Sequence, residues 1–308
     1  ATNFNTYDAQ AIREDLSDVI YDISPTETPF LSGIAKKGSV SNTYFEWQTD
    51  ALAAASGTNA AVEGAAAGTA ATTATTRLGN YTQISKKVVE VTGTQDKVNN
   101  AGKKSELAHQ LAKASKELKR DMETSLLATN AAVAGDASTA RETKGAATFI
   151  TTNVTDAGTT GTHAAIVEAD VTAVAESTWN AGGNPSTILL GATNKKLITA
   201  MSGRADSTRS VVDDNNTVYN AVDVYVSDFG TFNIQLDRYC DQDIVYFLDH
   251  DMWSVDYLRD FQTIDIDKTG DSEKKMLLVE YGLRCGNEAA NGKIRYTTGQ
   301  EIGRASCR

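Results

Sequence analysis

The chain has 308 residues, of which 41% are hydrophobic and 22% charged, and its formal net charge is −11. That size and balance describe a globular protein of about two domains. So acidic a chain does not wrap nucleic acid with its whole surface, because phosphate neutralisation needs clustered Lys and Arg, although one local face stays available for such contact.

No stretch approaches the roughly 18 apolar residues of a membrane helix. The polar start, Ala1-Thr-Asn-Phe-Asn, has no basic segment followed by an apolar one, so it does not read as a secretory leader; Ala1 fits removal of an initiator Met. Ile12, Leu16, Val19 and Ile20 predict a short amphipathic helix over 8–20. Two of the three prolines, Pro25 and Pro29, then fall in Tyr21-Asp-Ile-Ser-Pro-Thr-Glu-Thr-Pro-Phe-Leu31. Each biases its predecessor toward extended geometry, which predicts a stiffened arm followed by a short helix over 28–35.

Thr43, Phe45 and Trp47 alternate with Tyr44, Glu46 and Gln48, as in a strand, and Tyr81 to Thr92 reads as its antiparallel partner. Between them, 22 of the 26 residues from Ala51 to Thr76 are Ala, Gly, Ser or Thr. Such a run has little apolar bulk to offset the entropy of ordering it, and it is too long for an ordinary hairpin loop. A flexible arm of this kind becomes ordered only against another surface, which points to a protein that assembles.

The strongest helix spans 102–128, where Leu107, Leu111, Ala114, Leu118, Met122 and Leu126 form one apolar stripe and Lys103, Lys113, Lys116, Glu117, Lys119 and Glu123 occupy the other faces. It would be about 40 Å long. After it come a short strand around Phe149-Ile-Thr-Thr152, a helix over 167–181 closed by Gly182-Gly183, a buried strand at Thr187-Ile-Leu-Leu190, and a helix from Thr193 to Met201. Residues 203–218 read as a polar loop. Val222, Val224 and Val226, then Phe232, Ile234 and Leu236, flank Asp228-Phe-Gly230 as a hairpin. Further strands are predicted at 244–248, 253–258, 276–283 and 293–296. The tail Glu301–Arg308 can be encoded in frame by a common sequencing adapter and reads as non-native, so Cys307 within it carries no weight.

Motifs for chemistry fail on inspection. Gly286-Asn-Glu-Ala-Ala-Asn-Gly292-Lys293 has five residues between its glycines and Ile294 in place of the P-loop hydroxyl. Asp265-Ile-Asp-Lys-Thr-Gly270 begins like a calcium loop, but Met276 stands where a bidentate Glu would close the cage, so it reads as a turn. Ten Asp residues between Asp237 and Asp271 read as a solvated or subunit-facing surface. His109, His163 and His250 accompany no G-x-S-x-G or similar nucleophile motif, and Asp249-His-Asp251 points its groups in different directions. Cys240, Cys285 and Cys307 lie far apart without CxxC spacing, which gives neither a disulfide framework nor a zinc site and fits a reducing compartment. The expectation is a non-enzyme with no cofactor and no metal.

Several segments in order carry a family likeness: Asp15-Leu16 through Ile23-Ser-Pro-Thr-Glu-Thr-Pro-Phe-Leu31, Glu106-Leu-Ala-His-Gln110, Lys116-Glu-Leu-Lys-Arg-Asp121, Trp179-Asn-Ala-Gly-Gly183, Asp228-Phe-Gly-Thr231, Leu258-Arg259, Lys268-Thr-Gly-Asp271 and Val279-Glu-Tyr281. Over residues 5–298 the chain resembles the major head (capsid) proteins of tailed bacteriophages of the SU10 type. The resemblance implies an α+β, HK97-like fold: an N-terminal arm (1–37), an extended hairpin loop (38–97), a peripheral domain with a spine helix (98–147), an axial domain (148–245) and strands returning to the peripheral domain (246–300), before the tail (301–308).

It also implies self-assembly into hexamers and pentamers of an icosahedral head, in the virion and, before assembly, in the host cytoplasm. Expected partners are further copies of the chain, portal and scaffold or decoration proteins, and packaged double-stranded DNA through local contact on the inner face, with no membrane. Pro25, Pro29, Phe30, Phe45 and Trp47 are the candidate assembly contacts, since aromatic anchors dominate interfaces. The other reading of Phe30, Phe45 and Trp47 is that they are ordinary core residues of one chain. A flagellin or surface-layer protein shares this composition, but such chains carry helical heptads at both ends, whereas this one ends in strands.

Overall fold

The computed structural model describes residues 26–66, 68, 72–98, 105–157, 166–201, 223–268 and 270–296. Pro25, the helix expected over 8–20, His163, the 203–218 stretch and the tail with Cys307 lie outside the described residues.

The chain runs through α1 (Pro29–Gly33), β1 (Ala35–Ser39), β2 (Tyr44–Thr49), β3 (Thr76–Tyr81), β4 (Gln83–Thr92), α2 (Gly93–Lys97) and the long α3 (Glu106–Leu127). It continues with α4 (Ala146–Phe149), β5 (Val154–Ala157), α5 (Glu168–Asn180), β6 (Thr187–Leu190) and α6 (Ala192–Thr199). Then follow β7 (Val224–Ser227), β8 (Gly230–Leu236), β9 (Ile244–Leu248), β10 (Trp253–Ile266), β11 (Ser272–Cys285) and β12 (Gly292–Tyr296). Helix α3 starts where Ser105 caps it, its Oγ accepting from the Ala108 N–H at 3.3 Å.

A four-stranded sheet in the order β1-β10-β11-β4 carries α3 on one face. Ala114, Leu118, Met122 and Leu126 of the predicted stripe are buried in one core with Leu277, Val279, Tyr281 and Leu283 of β11, while Leu107 and Leu111 are half-buried. Each fully buried Leu contributes about 1.5–3 kcal/mol. Strands β10 and β11 have 14 residues each, well beyond the predicted 253–258 and 276–283. Their outer halves are rich in charged and polar residues, which hides the strand alternation from a sequence reading. Of the sequence resembling a calcium loop, Asp265 and Ile266 end β10, and Asp267, Lys268 and Gly270 lie in the connection to β11.

A six-stranded sheet in the order β5-β12-β9-β6-β8-β7 forms the second layer. Val171, Val174 and Ala175 of α5 cover one face. All five residues of β9 are buried because the two faces of this sheet meet different cores. Val245 and Phe247 join the α5 core, while Ile244, Tyr246 and Leu248 join the α3 core. The Tyr246 hydroxyl donates to the Leu127 carbonyl at 2.6 Å, tying this sheet to the end of α3.

Four expectations need correction. The partner of β2 is β3, in register from Tyr44↔Tyr81 to Thr49↔Thr76, and β4 pairs with β11 instead. Phe149 lies in a helical turn, not a strand, because the buried residues Ala146, Ala147, Phe149 and Ile150 follow i, i+1, i+3, i+4 spacing. In β7 it is Tyr225 that turns inward, while Val224 and Val226 are exposed. Glu123 is not on the wet side of α3: it is fully buried, as are Asp237 and Asp256 of the supposed acidic surface, because each has specific partners inside.

Candidate assembly site

The feature of this fold that reaches outward is the β2–β3 hairpin. Residues 50–66 and 72–77 are all exposed, and the two bulky apolar side chains there, Leu52 and Val62, are 99% and 81% exposed. The root of the hairpin is the reverse. Phe45 and Trp47 on the inward side of β2 are 6% and 9% exposed, while Tyr44, Glu46 and Gln48 face out.

A continuous row of rings holds the root. Phe45 meets Trp47 at 5.8 Å, Trp47 meets Phe149 at 6.2 Å, Phe149 meets Trp253 edge-on at 6.0 Å, and Trp253 meets Phe30 edge-on at 5.9 Å. Such pairs contribute about 0.5–1.5 kcal/mol each beyond area burial. The Arg284 guanidinium lies over Phe45 and Trp47, at 5.7 and 5.4 Å, and its Nε donates to buried Asp256 at 2.5 Å. Gly282 of β11 makes room for the Phe45 ring, since a Cβ there would come within 2.4 Å of it.

Polar bonds fix the same root. Asn80 is fully buried in β3. Its amide donates to the Leu283 carbonyl at 2.7 Å and the Thr143 hydroxyl at 2.9 Å, and its oxygen accepts from the Lys144 and Tyr81 N–H groups at 2.9 and 2.8 Å. Thr82 donates its hydroxyl to Glu280 at 3.0 Å and its N–H to the Thr43 carbonyl at 2.8 Å. Buried Glu280 also binds Arg259 at 2.8 Å and Arg141, which reaches the Thr82 carbonyl at 3.2 Å.

The segment after the arm is tied to α3. Glu123 accepts from the Phe30 and Leu31 N–H groups, both at 2.7 Å, at the start of α1. Burial lifts its carboxyl to about 8, the bond from Leu31 opposes this, and nearby Asp237 adds to it. Burial likewise raises Asp237, which accepts from the Tyr239 N–H at 2.8 Å.

The structure therefore brings Phe30, Phe45 and Trp47 into one aromatic row within a single chain; Pro29 opens α1 half-buried beside them, and Pro25 lies outside the described residues. Sequence reasoning did not name Asn80 or Arg284, placed Glu123 on a polar face of the long helix, and met Glu280 only within Val279-Glu-Tyr281, giving none of them a structural role. Their partners lie up to 203 positions away, so no local pattern marks them. The chemistry-like motifs have structural uses. Lys293 of the P-loop-like sequence donates to the Ala147 carbonyl at 2.6 Å. His250 places Nδ1 3.4 Å from the Thr187 hydroxyl, and its ring packs against Gly33. Among the described residues, no group of three His, Cys, Asp or Glu is arranged to hold a metal ion.

Residues 1–298 match the sequence profile of the SU10 major capsid protein. The chain belongs to that family. It is 29% identical over 347 aligned positions to the major capsid protein of Escherichia phage Phieco32, covering 97% of this chain and 98% of that one. Solved structures similar to it include the cyanophage A-1(L) capsid asymmetric unit, with a TM-score of 0.65 at 15% identity over 96% of this chain and 99% of the other. The capsid of a native GTA particle gives 0.63 at 14% identity over 94% and 97%. A chain from Mycobacterium phage Bobi gives 0.63 at 10% identity over 96% and 99%. The fold is thus the α+β, HK97-like capsid fold, and the chain is a phage major capsid protein, a shell-forming component of the virion. The flagellin or surface-layer alternative gives way to this family match.

Proposed function

We propose that this capsid protein closes into hexamers and pentamers by laying the 50–75 segment of each copy over its neighbour, through heterologous contacts that form rings. The observation that carries this reading is the contrast within one hairpin: described tip residues, 50–66, 68 and 72–77, that are all exposed, on a root fixed by rings and buried polar bonds. A rigid root sets the direction of the tip, so less freedom is lost when the tip docks. Phe30, Phe45 and Trp47 serve assembly by holding the hairpin and the arm in place; their burial within one chain supports that role over direct contact with a neighbour. Pro25 stiffens the arm ahead of α1, and Pro29 stiffens its junction with α1 as the first helical residue.

In this reading the four-stranded sheet with α3 is the peripheral domain and the α5-covered sheet is the axial domain. The axial domain then takes in β12 and the end of β9, expected from the sequence among the strands returning to the peripheral domain, so that of 246–300 only β10 and β11 return there. Assembly takes place in the host cytoplasm, with portal and scaffold or decoration proteins, around double-stranded DNA touched locally on the inner face. The protein does no chemistry, in keeping with a P-loop-like lysine bound to a carbonyl. The test is to replace residues 51–75 with a two-residue Asn-Gly turn. The subunit is expected to stay folded by circular dichroism and to form no shells in electron micrographs; normal shells would refute the reading.

A further inference from the structure

The four-stranded sheet has two unlike edges. Strand β1 has five residues, its register against β10 slips between Lys36 and Gly38, and Gly38 sits at φ +138°. Short, bulged edges resist further pairing. Strand β4 runs ten residues against β11 in unbroken register from Gln83↔Tyr281 to Thr92↔Ser272, and among the described residues no strand lies on its other side. An open groove of about 640 Å³ follows this edge, lined by residues 87–92 and by Gln110, Lys113 and Glu117 of α3.

The main-chain polarity of this edge can be read from its two ends. The Gly93 N–H donates to the Asp271 carbonyl on the β11 side, at 3.0 Å, and the Thr82 N–H donates to Thr43 on the opposite side. Antiparallel residues alternate, so odd positions turn their main chain toward β11 and even positions turn it outward. Lys86, Val88 and Glu90 are the outward set, and their side chains are exposed. Glu90 is held ionised by Lys274 at 3.0 Å and Ser272 at 2.8 Å.

This edge is its own complement. Two copies laid antiparallel about Val88 set Lys86 of each opposite Glu90 of the other, with Val88 opposite Val88. Positions 86, 88 and 90 pair only with one another in that register, so their outward N–H and C=O groups meet outward partners, while the intervening 87↔89 pairs keep their main-chain bonds to β11. Oppositely charged cross-strand pairs stabilise such a ladder, and like charges in the same places oppose it. We propose that β4 is a homotypic docking edge, where two copies of this chain pair along Lys86–Glu90 about a two-fold axis and join their sheets. The proposal rests on the reading that the chain assembles, and it names one contact within that assembly.

The experiment is Val88→Cys in a Cys307→Ser chain, with Cys240 and Cys285 buried. Paired residues of this type have Cα atoms about 5.5 Å apart, within disulfide reach. Oxidised particles are expected to run as cross-linked dimers on non-reducing denaturing gels. Lys86→Glu and Glu90→Lys should each lower the dimer yield about tenfold, and the double exchange should restore it. Normal particles without a cross-link, or no rescue by the double exchange, overturn the pairing and leave shell formation standing. Cross-linked dimers without any particles uphold the pairing and overturn the proposed mode of assembly.

Discussion

At its root the β2–β3 hairpin buries Phe45, Trp47 and Asn80 among rings and hydrogen bonds, whereas over 50–66 every residue faces solvent. Both halves belong to one supersecondary element, yet they differ in what sequence they need. The root requires particular side chains because each buried polar group must find its partner. The tip requires small residues that neither collapse onto the chain nor resist being laid on another surface. A capsid subunit built this way keeps its own stability apart from the energy of assembly.

Substitutions can break or sharpen that contrast. The largest effect on the subunit itself is expected from Glu280→Ala, which takes the carboxylate from half-buried Arg141 and exposed Arg259 and leaves buried Thr82 without its acceptor. Losing these hydrogen bonds should cost about 3 kcal/mol, since solvent reaches Arg259, to be read from urea unfolding of the dissociated subunit. Asn80→Ala should cost about 2–3 kcal/mol in the same assay by stranding buried partners at Leu283 and Thr143. A loss below 0.5 kcal/mol for either would show that the root is not held as described.

A smaller effect concerns pH. The Glu123 carboxyl is lifted from 4.5 to about 8, chiefly by burial, so the folded chain favours its protonated form. Its stabilising share is complete below pH 4.5 and is lost as pH rises through about 8. The melting temperature should fall by roughly 5 °C between pH 6 and 9, and Glu123→Gln should flatten that slope. The smallest effect belongs to the tip: Leu52→Ser, at a side chain 99% exposed, should change subunit stability by less than about 0.5 kcal/mol. Any change it makes to shell yield then reports on assembly alone.

The helical stripe from Ala114 to Leu126 was legible in sequence because its contacts repeat every three or four residues. The alternation of Phe45 and Trp47 likewise marked β2. Its partner was misread because Thr76-Arg-Leu-Gly-Asn-Tyr81 contains Gly79 and Asn80, poor strand formers that only tertiary partners hold in place. The stronger alternation of β4 drew the pairing away from them. The buried charges were hidden for a related reason. Glu123 resembles its neighbours on α3, and only the N–H groups of Phe30 and Leu31, more than ninety positions earlier, reveal why it turns inward.

That last contact has a mechanical meaning. The start of α1 is moored by Glu123 to the last turn of the longest helix among the described residues, not to a loop or a sheet margin. A pull on α1 would be borne first by two hydrogen bonds to a single side-chain carboxyl group and passed into the last turn of α3. Tension there would thus be felt four residues on, at Leu127, where the Tyr246 hydroxyl joins the helix to the second sheet.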